Sequence, residues 1–222
     1  MPDTETRLAK SIESTLLKSE AGEKEIRALC AEAVELGVHG VCVLPYWVKF
    51  AARLVASDGL KVTAACAFPH GSMNSDAKKV EGKRALEEGA SEIDTVLNVG
   101  AFLTGGPHSI TLVEDLSNYV MMCRGFDAVL KIIVEAPVLD EKGKWDAAKL
   151  VVRSGAHYLK TGTGTRGPCT VEDVELFRDA LDGKAKIKAA GGIDNLGLAE
   201  ALIGAGADRI GTSHARKILK GE

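Results

Sequence analysis

Two lysines occupy places where a strand packed inside a protein tolerates no charge: Lys160 in the run His157-Tyr158-Leu159-Lys160-Thr161-Gly162, and Lys188 in Lys186-Ile187-Lys188-Ala189-Ala190-Gly191-Gly192. Each closes an apolar segment just ahead of glycines. A buried ammonium is costly unless it is paired or loses its proton. Desolvation and a second nearby cation both favour the neutral amine, the form that attacks a carbonyl carbon. Two further charges stand in segments of the same kind, Asp94 in Glu92-Ile93-Asp94-Thr95-Val96 and Lys131 in Leu130-Lys131-Ile132-Ile133-Val134. A lone charge at a strand end usually leans out into water. Three or four on successive segments, each flanked by apolar residues, read instead as a cluster.

That cluster suits imine chemistry. A lysine condenses with an aldehyde or ketone, and the protonated imine then serves as an electron sink for a carbanion at the neighbouring carbon. Asp94 could move protons during dehydration of the carbinolamine and at the substrate carbon. Lys131 is read either as a counter-ion of this network or as a substrate contact. No metal and no organic cofactor are needed.

The elements that would bring these residues together recur with a regular rhythm. Short apolar, β-branched segments lie at about 12–17, 39–44, 61–67, 92–98, 129–135, 157–161, 186–190 and 208–212. Between them the pattern is helical: in 23–36, Ile26, Leu29, Cys30, Ala33 and Val34 share one face. Thr170-Val171-Glu172-Asp173 has the form of a helix start, and Gly37, Gly89, Gly155 and Gly206 stand where helices end before strands. Eight β/α units predict an α/β fold, a (β/α)8 TIM barrel forming one domain over 1–222. A doubly wound open sheet is the competitor, but no Gly-x-Gly-x-x-Gly turn follows the first strand.

In such a barrel the loops after strands seven and eight often hold a phosphate. Here they contain Gly191-Gly192-Ile193-Asp194 and Gly211-Thr212-Ser213-His214. Their glycines would let backbone N–H groups approach an anion, which the N-terminus of the following helix also favours. Thr161 and Thr163, in the glycine-rich loop after Lys160, are expected to donate to the rest of the substrate. A metal-assisted alternative would use His70, His214 and Glu135, three residues from separate loops with no ligand-spacing motif.

The 222 residues are 45% hydrophobic, and 28 basic against 31 acidic side chains leave a formal charge of −3. This balance gives no general electrostatic attraction to nucleic acid or to an anionic membrane surface. The chain starts without a signal-peptide pattern and contains no apolar run near the ~18 residues of a membrane span. Cys30, Cys42, Cys66, Cys123 and Cys169 form no Cys-x-x-Cys pair and are expected to be buried thiols. A cytoplasmic protein, with a homodimer possible, is the expectation. Trp47 and Trp145 are placed on helix faces, and the Lys78-Lys79 and Arg216-Lys217 pairs on solvated ones, with Arg216 near enough to the phosphate loop for a minor electrostatic part. His39, His108 and His157 are taken as surface or strand-end residues.

With these residues in view, the chain resembles the deoxyribose-phosphate aldolase family, class I aldolases built on a TIM barrel. The likeness runs from Ile12-Glu13-Ser14-Thr15-Leu16-Leu17-Lys18 through Val41-Cys42-Val43-Leu44-Pro45, Phe68-Pro69-His70-Gly71, Glu92–Gly100, Leu130–Glu135, Leu159–Gly164, Ile187–Ile193 and Arg209–Ser213. The resemblance implies Lys160 as the Schiff-base lysine, Lys188 as the lysine that lowers its pKa and relays protons, and Asp94 as general acid and base. It implies reversible cleavage of 2-deoxy-D-ribose 5-phosphate to acetaldehyde and D-glyceraldehyde 3-phosphate, with the phosphate resting on Gly191, Gly192, Gly211 and Ser213. Against the family's usual pattern, this chain has Glu13, Ser14 and Ser19 in its first motif. It also has Leu44 after Cys42-Val43, His70 after Phe68-Pro69, Gly162 and Thr165 in the Lys160 loop, Phe102-Leu103-Thr104-Gly105 after Gly100, and His214. These changes leave room for another aldehyde donor or acceptor, or for a barrel that binds a phosphate ligand without catalysis.

Overall fold

The computed structural model describes residues 4–221. Eight parallel strands close into a barrel in sequence order: β1 (Ile12–Leu16), β2 (Gly40–Val43), β3 (Lys61–Cys66), β4 (Glu92–Val96), β5 (Val129–Ile133), β6 (Tyr158–Lys160), β7 (Lys186–Ala190) and β8 (Arg209–Thr212). All eight expected segments are strands, shorter at their ends by up to two residues. The helices between them are α2 (Glu23–Glu35), α3 (Val48–Leu54), α4 (Ser75–Glu87), α5 (Val99–Gly105), α6 (Ile110–Gly125), α7 (Glu141–Ser154), α8 (Val171–Leu181) and α9 (Leu196–Ala205), with α10 (Ala215–Lys220) last. An unforeseen helix, α1 (Thr4–Ser11), precedes β1. Among the described residues no helix is long and apolar enough to cross a membrane.

Side chains alternate between the two faces of each strand, and the two faces differ in kind. Ile12, Val41, Val43, Val62, Ala64, Ile93, Leu130, Ile132, Leu159, Ile187, Ala189 and Ile210 belong to the apolar core between sheet and helices. The alternate positions hold Glu13, Thr63, Glu92, Asp94, Lys131, Lys160, Lys188 and Arg209, all buried. Barrel interiors are usually filled with branched apolar side chains. This one is filled with ions. Strand pairing sets them abreast: Asp94 is level with Lys131, Lys160 with Lys188, and Lys188 with Arg209.

Two surface expectations change. Lys78 is 2% exposed, because α4 turns it inward, where its ammonium donates to the Val96 carbonyl at 3.1 Å and lies 3.7 Å from the Asp115 carboxylate. Only Lys79 of that pair faces outward. Arg216 reaches back to Glu32 and Glu35, so its charge is spent on α2, while its neighbour Lys217 bonds Asp194 at 2.9 Å. Trp47 sits in a single 3-10 turn after β2, half-buried against Tyr46 and Phe50. All five cysteines are buried free thiols.

The helix start read at Thr170 is a complete capping box. Its hydroxyl accepts from the Asp173 N–H at 3.1 Å, and the Asp173 carboxylate accepts from the Thr170 N–H at 3.4 Å. Thr170→Ala should therefore lower stability by about 1 kcal/mol. It should shift the urea midpoint at an unchanged m-value; an unmoved midpoint would show that the cap contributes nothing.

Candidate active site

The site is built downward from the mouth formed by the C-terminal ends of the strands. A cavity of about 540 Å³ opens there, lined by Thr15 and Lys18 from the end of β1, Phe68 after β3, Lys160 and Thr163 at β6, Gly191–Asp194 after β7 and Gly211–His214 at β8. Lys160 is the side chain at its floor, 2% exposed.

Beneath Lys160 lies Asp94, with no exposed surface. Its Oδ2 accepts from Lys160 Nζ at 2.8 Å and from Lys188 Nζ at 2.7 Å, and its Oδ1 accepts from Lys131 Nζ at 3.0 Å. Lys188 also bonds Glu13. Lys131 lies 2.5 Å from Glu92 and 3.4 Å from Glu13. Arg209 donates to Glu13 at 2.9 Å and to the Tyr158 hydroxyl at 3.2 Å, and approaches Glu92 at 3.4 Å. His39, at the far end of the barrel, contacts Glu92 at 2.8 Å. One connected network thus runs from the cavity floor to the opposite mouth.

Charges in this network support one another. Burial alone would push the carboxyl of Asp94 up, but the lysines around it, Lys131 first, outweigh it and hold Asp94 well below the usual range. Glu13 is likewise lowered against burial by Lys131 and Lys188, and Glu92 by Lys131, His39 and Arg209. Burial opposes the charge of Lys188, yet Asp94 and Glu13 prevail and raise it. Lys131 is raised against burial by Asp94, Glu13 and Glu92. Cys42, whose thiol is 3.9 Å from Asp94, is pushed up to about 11 by burial, so it stands in the site as a neutral group.

Close approach at the floor depends on a glycine. A Cβ on Gly211 would stand 2.9 Å from Lys188 Cε and 3.2 Å from the Ala190 side chain. Since Lys188 is pinned by two carboxylates, any larger residue at 211 would displace it. A second glycine matters above Lys160. Glu135, in the left-handed region at φ 58°, accepts from the N–H and the hydroxyl of Thr163 at 3.1 and 2.7 Å. A Cβ on Gly162 would stand 3.1 Å from that carboxylate. The glycine at 162 leaves Glu135 space to clamp the loop.

Lys160, Thr163, Gly191, Gly192, Gly211 and Ser213 line the cavity. Thr161 does not: it is fully buried and exchanges hydrogen bonds with Ala190, tying β6 to β7. Lys131 lies below the cavity and serves as a counter-ion held by three carboxylates. His70, His214 and Glu135 do not gather their ligand atoms into one group among the described residues, and Glu135 accepts from Thr163. Among the described residues, Glu13, Cys42 and Asp94 gather potential ligand atoms within 4.8 Å, but both carboxylates already bind ammoniums. Glu13, Glu92 and Arg209 were not singled out from sequence. Each is a charge within or at the start of an apolar strand segment, on the same face as the alternating inward positions of its strand.

The model of the DeoC/LacD family of aldolases matches residues 10–221. A protein of Geobacillus sp. named deoxyribose-phosphate aldolase is 42% identical over 220 residues, covering 98% of this chain and 97% of the relative. One of Mycoplasma mobile with the same name is 42% identical over 210 residues, covering 94% and 95%. Among solved structures, a deoxyribose phosphate aldolase from Aeropyrum pernix, described as a unique tetramer, superposes with a TM-score of 0.92 at 32% identity, covering 98% of this chain and 92% of that one.

The shifted groups fix the pH response. Asp94, Glu13 and Glu92 have folded values below the unfolded ~3.9–4.3, so their stabilisation is complete above that range and is lost as pH falls through the folded values. Lys131 and Lys188 have folded values above the unfolded ~10.4, so their share is complete below it and is lost as pH rises through the raised values. Urea unfolding across pH should give a plateau from about pH 6 to 9, falling on the acid side below about pH 4. Stability that grew on acidification below that point would contradict the network.

Proposed function

We propose, from the premise that this chain belongs to the DeoC/LacD family of aldolases, that it is a class I deoxyribose-phosphate aldolase in which Lys160 forms the Schiff base. The observation that carries this reading is the Lys160–Asp94–Lys188 trio directly under a cavity with glycine loops at its other end.

Charge balance explains which amine reacts. The basic groups Lys131, Lys160, Lys188 and Arg209 share the carboxylates Glu13, Glu92 and Asp94. One basic group is in excess, so the buried cluster is neutral when one lysine is an uncharged amine. Lys131 and Lys188 each contact at least two carboxylates, whereas Lys160 contacts Asp94 alone and faces the cavity. Lys160 is thus the nucleophile. Lys188 stays an ammonium, held so against its burial by Asp94 and Glu13, and stands level with Lys160 on the neighbouring strand.

The Lys160 amine attacks the aldehyde carbon of 2-deoxy-D-ribose 5-phosphate, and Asp94 and Lys188 pass protons so that the carbinolamine loses its oxygen as water. In the resulting protonated imine, the bond between C2 and C3 breaks as the C3 hydroxyl gives up its proton. The bonding pair moves toward the imine nitrogen, leaving an enamine and releasing D-glyceraldehyde 3-phosphate. Protonation of the enamine at C2 and addition of water then free acetaldehyde and restore the amine. Gly191, Gly192, Gly211 and Ser213 hold the phosphate, and Thr163 borders the reacting carbons. The same reading takes 1–222 as one cytoplasmic domain that associates with copies of itself, a point checked by sedimentation.

Reduction with borohydride in the presence of acetaldehyde should attach an ethyl group to Lys160, located by peptide mass mapping. An adduct on any other lysine defeats the assignment. Lys188→Met should slow adduct formation by about 100-fold or more. It should also cost about 1–3 kcal/mol of stability, because it takes one hydrogen-bonding partner from each of two buried carboxylates; trapping is therefore timed on protein shown by near-UV circular dichroism to be folded. Unchanged trapping kinetics in that folded variant would remove Lys188 from the mechanism.

A further inference from the structure

A phosphate monoester carries a charge of roughly −1.5 to −2 near neutral pH, and the glycine loops that line the cavity after β7 and at the end of β8 contribute backbone and hydroxyl donors but no fixed cation. The charged side chains of the lining are Lys18, Lys160 and Asp194, together with the titratable His214. Lys160 is bonded to Asp94 and reserved for the imine. Asp194 would repel the phosphate, but its carboxylate accepts from Lys217 at 2.9 Å and from Asn195 at 3.0 Å, which largely offsets it. The His214 ring lies 3.2 Å from the Ser213 hydroxyl.

Lys18 remains. It is exposed, lines the cavity and makes no ion pair among the described residues. Topology places it at the phosphate end. β1 pairs with β8, with Ser14 level with Thr212, so the chain beyond Leu16 leaves the barrel beside Ser213. Both the stem carrying Lys18 and the loop carrying Ser213 therefore edge the same side of the mouth.

We infer that Lys18 is the cationic anchor of the phosphate subsite and the residue by which this enzyme prefers phosphorylated over phosphate-free aldehydes. The inference rests on the aldolase reading for the identity of the anion. An ammonium reaching over an open mouth supplies Coulomb attraction and a charge-assisted hydrogen bond without touching the reacting carbons. Its effect belongs in binding rather than in turnover.

The test compares the enzyme with Lys18→Met and Lys18→Arg variants on 2-deoxyribose 5-phosphate and on 2-deoxyribose. Lys18→Met should raise KM for the phosphate ester by about tenfold or more, leave kcat within about twofold and have no effect with the phosphate-free sugar. Lys18→Arg should retain most of the affinity. An unchanged KM for the ester, or an equal loss on both sugars, overturns the proposal. Binding of inorganic phosphate to the unliganded enzyme, followed by calorimetry, separates this inference from the activity itself. If the enzyme cleaves neither sugar but phosphate binding weakens in Lys18→Met, the subsite stands and the aldolase reading falls. If phosphate binds both proteins equally, Lys18 is not its anchor, whatever the enzyme cleaves.

Discussion

A carboxylate shut away from water must find all its hydrogen bonds among protein donors, and Asp94 finds three lysine side chains. Either partner alone would be untenable in the barrel lumen, since an unpaired buried charge costs several kcal/mol. Together they fix one another's protonation and position. The lysines hold Asp94 ionised, and Asp94 with Glu13 holds Lys188 as an ammonium. Everything else at the site follows from this mutual dependence. Gly211 must lack a side chain so that Lys188 can reach Asp94, and Glu13, Glu92 and Arg209 must extend the network because each ion taken in needs a further partner.

An ionic lumen changes how the fold is stabilised. A typical barrel draws on apolar packing on both faces of its sheet; here the inward face holds the charges, and the apolar core lies between strands and helices. The buried ion pairs are weak evidence for stability in themselves, because desolvation offsets much of their attraction. The outer layer therefore supplies the folding energy, while the lumen fixes geometry. Such a separation lets the reactive cluster be arranged for proton transfer without each change being felt as lost packing.

Much of this was legible in the chain. The eight strands were marked by β-branched runs bounded by glycines, and the strand-borne Asp94, Lys160 and Lys188 stood out because each was flanked by apolar residues. Glu13, Glu92 and Arg209 did not stand out, for a physical reason. Glu92 and Arg209 open their strands, where a charge normally faces water, and Glu13 meets Arg209 across 196 residues only once the barrel has closed. Lys131 was visible, but its depth was not: nothing local distinguishes a lysine at the cavity wall from one a layer below it. Thr161 illustrates the same limit, since a hydroxyl beside the reactive lysine can serve the backbone as readily as a substrate. Lys78 misled because its partner Asp115 belongs to α6, packed against α4.

The depth of each residue also sorts its role. Groups below Lys160 are bound to other strands on several sides, so their geometry is determined by the barrel itself and a change in one disturbs its partners. Groups above it, such as Lys18, Phe68, Thr165 and His214, sit on strand ends and loops with few obligations. Reaction type is therefore set in the rigid interior, by ions that cannot be exchanged singly. Preference among aldehydes is set at the rim, where one side chain can alter the ligand's charge environment while the imine-forming trio keeps its distances. Thr165 and His214, two of the positions noted above as departing from the family's usual pattern, line this rim.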